Sequence, residues 1–464
     1  MAVIGAGPAG LVTAKTFLAA GADVTVFERG SHIGGTWVYD NDNGRRFLYK
    51  NLHINTSKRL TAFEGLPFPD DTQPIPDHRD MAAYLKAYSE KFGITGRTLF
   101  NANVVKVVPA AHGGDGSSGW IVHAEGRTED KFDAVAVCTG AFDRPRHVAQ
   151  FAQEFGGEYL HSADYRELEP FTGKRVCIIG AGNSASDIAS DICRIAARTV
   201  MVARSPVFVT PHFILGFSLN DISRGLQRRW IPDAVRRGVT RALVRVVHGR
   251  MEQHGFKPLT HRVHPTINST IIQDILFHRV AIKQGVTQVD GRAISFADGS
   301  VEEFDTVIAA TGFVTAFPFL DRTIVGPEDE ALLLYKRIVP PGWRGLYFVG
   351  MINLDTPVNY ACERQARWIA EFEMNALPLP SKAEMAADIA AKRDWVTRIY
   401  GDAQRHSVQE ESRHYYRELD LALRQSRRKK FRNHPSWLRA RFGRVLGASP
   451  LRQEASRPSV ERRA

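Results

Sequence analysis

Two glycine-rich turns set the architecture of this chain. The first, Gly5-Ala6-Gly7-Pro8-Ala9-Gly10, follows the apolar run Ala2–Ile4 and opens a helical pattern that lasts to about Ala20. The second, Gly180-Ala181-Gly182-Asn183-Ser184-Ala185, lies in the same context within "RVCIIGAGNSASDI" (175–188). Strand, tight turn and helix are the opening of a dinucleotide-binding βαβ unit. Each unit continues into a second apolar strand, "DVTVFE" (23–28) and "TVMVAR" (199–204). The predicted fold class is α/β, with two Rossmann-like dinucleotide-binding domains.

The turns differ in what they should hold. Gly5 permits the tight turn, Gly7 lets the main chain approach a pyrophosphate, and Gly10 lets the helix pack on its strand. The helix start at Pro8 and Ala9 offers free N–H groups and a positive dipole to phosphates. Glu28 is placed to accept hydrogen bonds from a ribose 2′-hydroxyl. In the second turn Gly180 and Gly182 remain, Asn183 and Ser184 open the helix, and Ala185 replaces the third glycine at small expected cost. The position matching Glu28 is Ala203, followed by Arg204 and Ser205, so no carboxylate is present. An arginine there suits a 2′-phosphate, which needs charge and a bidentate donor; the plainer reading is a solvated charge at a strand end. The first site is thus expected to hold FAD and the second NADP(H).

Between and beyond the turns, "DAVAVCTG" (133–140) and "DTVIAATG" (305–312) read as buried strands, each preceded by hairpin material. The repeat suggests that the first fold resumes at 305, so that the NADP domain is inserted in the FAD domain. The expected division is 1–165 FAD domain, first part; 166–304 NADP domain; 305–375 FAD domain, second part; 376–420 a helical segment; and 421–464 a poorly ordered basic tail. Residues 212–270 form a helical insertion in the NADP domain. Its segment 233–250 carries Val235, Val239, Ala242, Leu243 and Val246 on one helical face and Arg237, Arg241 and Arg245 on another. That pattern predicts an amphipathic surface helix, with membrane docking as the sharper alternative.

Charge enters because it is uneven. Residues 421–464 hold 13 Lys and Arg against 2 Asp and Glu, so the formal +11 of the 464-residue chain lies there and residues 1–420 are neutral. A solvated tail is expected, with weak contact to an anionic membrane surface as the alternative and no nucleic-acid partner. No run of 18 or more apolar residues occurs, so no transmembrane helix is expected, and a cytoplasmic location follows. The first strand is unusually short; a natural start a few residues upstream is one expectation, and a tolerated short strand is the other. Cys138, Cys177, Cys193 and Cys362 form neither a CxxC pair nor a metal spacing, which argues against disulfide-reductase chemistry and against a metal site.

On these residues the chain resembles the flavin-containing monooxygenases, a family of class B flavoprotein monooxygenases, over about residues 1–375. The most specific piece is "FGGEYLHSADY" (155–165), which fits F-x-G-x-x-x-H-x-x-x-[FY] at Phe155, Gly157, His161 and Tyr165. Related Baeyer–Villiger enzymes carry Trp in the last place, and Arg166 stands where the family commonly has Lys. "GGTW" (34–37) looks like the flavin-contacting loop, which implies roles for Gly35, Thr36 and Trp37. "NLHINTSK" (51–58) is similar to the segment whose Asn lies beside the flavin ring, and Asn55 is the match. Thr139-Gly140 and Thr311-Gly312 resemble the two inter-domain links, and "ERQARW" (363–368), with Gln365, the helix near the flavin.

The resemblance implies that NADPH reduces FAD, that dioxygen adds to the flavin as a C4a-hydroperoxide, and that a soft nucleophilic N or S centre of a small substrate takes the distal oxygen. Asn55 is the implied polar partner of the flavin, and His161 has a domain-linking role. Baeyer–Villiger or decarboxylative oxygenation is the nearest alternative. A non-catalytic, NADP(H)-sensing flavoprotein is the alternative from another class. Oligomeric state is open, with a homodimer as one candidate.

Overall fold

The computed structural model describes residues 1–111, 113–226, 230–326, 332–401 and 408–432. Two all-parallel five-stranded sheets dominate it. In the first, the order is Leu346–Phe348, Val135–Val137, Ala2–Ile4, Thr25–Phe27 and Thr98–Leu99. In the second it is Val280–Lys283, Arg198–Val202, Arg175–Ile179, Thr306–Ala309 and Glu158–His161. Helices cover these sheets, so their central strands are buried on both faces. That is why "AVI", "VAV" and "TVIA" read as apolar runs rather than alternations.

The two units share one plan. Each runs glycine turn, helix, second strand and third strand. Each then makes a three-stranded antiparallel meander, at Val104–Phe132 and Val286–Glu303, before its fourth strand. The expected boundaries at 165 and 305 are therefore corrected. Glu158–His161 pairs with Thr306–Ala309 in the second sheet, and the first fold resumes only after 312, adding Leu346–Phe348 to its sheet. "DTVIAATG" closes the second unit in the way "DAVAVCTG" closes the first. The repeat in the sequence was a repeat of units, not a return to the first one. The chain crosses between units twice, and the crossings lie together: Phe313–Val314 pairs antiparallel with Arg144–Pro145.

The insertion is helical, with helices Leu219–Gly225 and Asp233–His248. The face of the second helix departs from expectation. Val235, Val239 and Val246 are exposed, Val246 at 85%, while Arg236, Val244 and His248 are buried. Arg236 reaches Asp355 at 3.1 Å, and Val244 packs with Ile214 and Leu219. Ion pairs of Arg236 and Arg237 and the packing of Val244 hold this helix, and of its apolar stripe Leu243 joins that packing while the three valines stay exposed.

Helix Val358–Met374 packs on helix Pro8–Ala19 behind the first turn. Two more helices follow, Lys382–Tyr400 and Ser412–Arg432. The second of these corrects the tail boundary at 421. Tyr415, Leu419, Ala422 and Ser426 are buried along one face, while Arg424, Arg428 and Lys429 are exposed, so a basic composition does not prevent a packed helix. Residues 433–464, the rest of the expected tail, lie outside the described residues. Among the described residues no helix is long and apolar enough to cross a membrane.

Candidate nucleotide-binding and active site

The first turn is closed by contact with itself. A Cβ on Gly10 would lie 1.8 Å from the Gly5 carbonyl oxygen, so no other residue fits. Gly35 has φ +59°, and a Cβ there would sit 2.9 Å from the Gly7 Cα. The short 3-10 helix Gly35–Trp37, which includes Thr36, thus rests directly on the turn. Trp37 packs against the first core. Helix Pro8–Ala19 begins with Pro8 and has no side-chain cap, which leaves its first N–H groups to a ligand. Ala9 faces Gly350, whose Cβ position lies 3.4 Å from the Ala9 methyl. Glu28 is buried beside the turn. Its Oε2 accepts from Ala6 N–H at 2.8 Å and its Oε1 from Gly30 N–H at 2.9 Å. Main-chain donors so fix the carboxylate at the strand end, and a carboxylate retains further lone pairs for ribose hydroxyls.

The second turn tolerates what the first cannot. Ala185 is fully buried and packs in a core with Ile178 and Ile308; its helix stands far enough from the turn to admit a methyl group. Space for a Cβ on Gly182 is open, and helix Asn183–Ile192 also lacks a side-chain cap. Asn183 is occupied: its Oδ1 accepts from Ile267 N–H at 2.8 Å, tying the insertion to the turn. Ser184 and Ser205 are half-buried near it. Arg204 is exposed, two residues past strand Arg198–Val202, at the carboxyl end of the sheet, and it has no ion-pair partner among the described residues. Arg198, a second cation on this strand, is at its opposite end and pairs with Glu302 at 3.0 and 3.1 Å.

The links close over a cleft between the units. The Thr311 hydroxyl donates to the Arg146 carbonyl, and Arg146 N–H donates to the Gly312 carbonyl at 2.9 Å. Thr139 is anchored through its carbonyl to Arg45 Nη1 at 2.6 Å, and its hydroxyl is buried without a partner among the described residues. Gly140 has φ +78°. Loop residues Arg46 and Phe47, link residues Asp143 and Pro145, and Asp164 of the 155–165 motif line a cleft of about 390 Å³. His161 Nδ1 accepts from Ala163 N–H at 3.1 Å, so its proton is on Nε2. Burial lowers its pKa, and its ring meets Phe313 edge-on at 5.3 Å. It is a neutral packing piece at the crossing point, as a linking role requires.

Asn55 is half-buried. Its carbonyl accepts from Asn220 Nδ2 of the insertion at 2.7 Å, and its carboxamide makes no hydrogen bond among the described residues. Gln365 is engaged at both ends: Oε1 accepts from Gly350 N–H at 2.9 Å, and Nε2 donates to the Tyr415 hydroxyl at 2.7 Å. It shapes the Gly350 turn behind Ala9 rather than offering its amide to a ligand. Sequence reasoning missed Arg45, Asn220 and the pair Asp187 and Asp191. For the aspartates a signal existed: two acids four residues apart on an otherwise apolar and small helix.

These features fit two dinucleotides: two uncapped helix starts over glycine turns, an acid beside the first and a free cation beside the second. A family model for flavin-binding monooxygenase-like proteins matches residues 1–427. The chain belongs to the flavin-containing monooxygenase family. It is 32% identical over 427 residues to flavin-containing monooxygenase 5 of Cavia porcellus, covering 88% of this chain and 80% of the relative. It is 30% identical to dimethylaniline monooxygenase [N-oxide-forming] 2 of the same organism, covering 91% and 82%. Among solved structures, S-allyl-L-cysteine S-oxygenase from Allium sativum superposes with a TM-score of 0.68 at 26% identity, covering 98% of this chain and 93% of that one. The family assignment makes the chain an FAD-dependent NADPH monooxygenase. The sensor reading is therefore dropped.

Proposed function

We propose that this enzyme oxygenates a soft nucleophilic nitrogen or sulfur centre of a small organic molecule. NADPH supplies two electrons. Of the two atoms of dioxygen, one enters the product and the other leaves as water. The observation that carries this reading is Tyr165 in the last place of the 155–165 motif, where Baeyer–Villiger enzymes carry Trp. The activities named for two relatives, one N-oxide-forming and one an S-oxygenase, support it.

Bound flavin, once reduced by NADPH, supplies the oxygen-activating chemistry. The chain's residues hold and shield it. The turn Gly5–Gly10 and Glu28 take the pyrophosphate and ribose of FAD. Gly180, Gly182 and Arg204 take those of NADPH. Asn55 presents a carboxamide with spare donors and an acceptor, and it changes no charge as pH varies. The insertion braces it from outside through Asn220, in keeping with a site that must exclude water.

The test offers the purified holoenzyme NADPH and ¹⁸O₂ with a tertiary amine, a thioether or a cyclic ketone. One ¹⁸O atom in an N-oxide or S-oxide is expected. Labelled lactone from the ketone, with amine and thioether untouched, would overturn the reading.

A further inference from the structure

Helix Asn183–Ile192, which opens at the second glycine turn, carries Asp187 and Asp191 one turn apart on one face. Each carboxylate accepts one tyrosine hydroxyl and one asparagine amide. Asp187 Oδ2 accepts from Tyr49 at 2.6 Å, and Oδ1 from Asn268 Nδ2 at 2.8 Å. Asp191 Oδ2 accepts from Tyr165 at 2.9 Å, and Oδ1 from Asn51 Nδ2 at 2.9 Å. The two tyrosines are buried and their rings touch, centroids 5.7 Å apart.

The donors come from three places. Tyr49 and Asn51 belong to the flavin-side segment that continues to Asn55. Tyr165 belongs to the motif at the unit crossing, and Asn268 to the insertion. The neighbour of Tyr165 adds to the joint: the Arg166 guanidinium donates to the carbonyls of Leu48 at 3.0 Å and Tyr39 at 2.9 Å.

We propose that Asp187 and Asp191 are positioning residues that fix the angle between the two nucleotide-binding units, and so set the rate of hydride transfer from NADPH to the flavin rather than the affinity for either nucleotide. Neither carboxylate needs to touch a nucleotide for this. They lie one and two turns down the helix whose start holds the phosphates, and they tie that helix to the segment carrying Asn55. Hydride transfer depends steeply on donor–acceptor geometry, and a misplacement of about 1 Å can cost about 100-fold. The proposal rests on NADPH reducing FAD and is independent of the substrate class.

The experiment is anaerobic stopped-flow reduction of the holoenzyme by NADPH, which reads the limiting rate and the nucleotide Kd separately. Failure of the N- or S-oxygenation reading would not affect this measurement, because oxygen and substrate are absent. The variant is Tyr49→Phe with Tyr165→Phe, which removes two hydroxyls and leaves the packed rings. Expected are a limiting rate at least about 10-fold lower, a Kd for NADPH within about threefold, unchanged FAD content, and faster amide exchange at links 140–147 and 311–315. Asp187→Ala with Asp191→Ala should move the same readouts further. Asp187→Asn, which keeps an acceptor for one donor, should recover part of the rate. An unchanged limiting rate overturns the proposal. So does a loss confined to Kd, and so does a slower rate with unaltered exchange at the links.

Discussion

The proposed selection of the reductant falls on a single side chain, Arg204. It is exposed, lies at the carboxyl end of the second sheet, and has no partner among the described residues, whereas Arg198 is committed to Glu302. A charge-assisted hydrogen bond to a 2′-phosphate contributes roughly 1.5–3 kcal/mol, or about 10- to 150-fold in affinity. Arg204→Ala should lose that factor for NADPH and leave NADH nearly unchanged, read as the ratio of kcat/KM for the two in flavin reduction. A variant with the wild-type ratio would remove Arg204 from the site. At this scale the sequence was most legible where chemistry is local. Gly5, Gly10, Glu28 and Arg204 sit where turn and strand-end logic put them. The side-chain contacts of Gln365 and Asn183 were not legible, because their partners, Gly350, Tyr415 and Ile267, are far away in the chain. A one-dimensional pattern does not show which side of an amide is already occupied.

Elements were legible as types and less so as faces. Helix Asp233–His248 shows the difference. Its apolar period predicted a helix correctly, but burial follows Arg236 and Val244, because the Arg236–Asp355 pair anchors the other face. The C-terminal helix shows the reverse error, since charge masked an apolar stripe. Ser412–Arg432 seats Tyr415, Leu419, Ala422 and Ser426 in the core, and Arg427 pairs with Glu371 at 2.6 Å. A chain ending after 432 should therefore keep its FAD content and its Tm. A chain ending after 411 should lose both, because Gln365 and the Gly350 turn lose the Tyr415 hydroxyl and several large side chains lose their cover. The measurement is the flavin-to-protein ratio after gel filtration, with thermal unfolding. Full FAD retention after 411 would make this helix dispensable.

At the scale of the whole molecule, the two-unit plan was legible because it is written twice. The exchange of outer strands was not, because Glu158–His161 and Leu346–Phe348 join their sheets through pairings that have no local signal. The assembled molecule also has a pH dependence that no segment reveals. Burial pushes the Glu363 carboxyl up to about 7, with the Lys15 ammonium opposing it only in part. Burial raises Glu418 too, but His414, Lys392 and Lys336 outweigh that and hold it down to about 2. The signs differ. Glu418 contributes stability above the unfolded carboxylate range, and that is lost only as the pH falls toward 2. Glu363 is neutral in the fold below about 6 and must ionise against burial above 7, so its cost is absent near pH 4 and complete by pH 8. At about 1.4 kcal/mol per pKa unit that cost is on the order of 3 kcal/mol. The groups facing it are Lys15, the hydroxyls of Tyr84 and Tyr88, and the Glu64 N–H that donates to its Oε1 at 2.8 Å. Glu363→Gln keeps an acceptor for that N–H and cannot ionise. Its Tm should match the wild type near pH 4.5 and exceed it by a few degrees at pH 8, the gap opening between pH 5 and 8. A gap that is the same at both ends of the range would mean that Glu363 does not change its charge there.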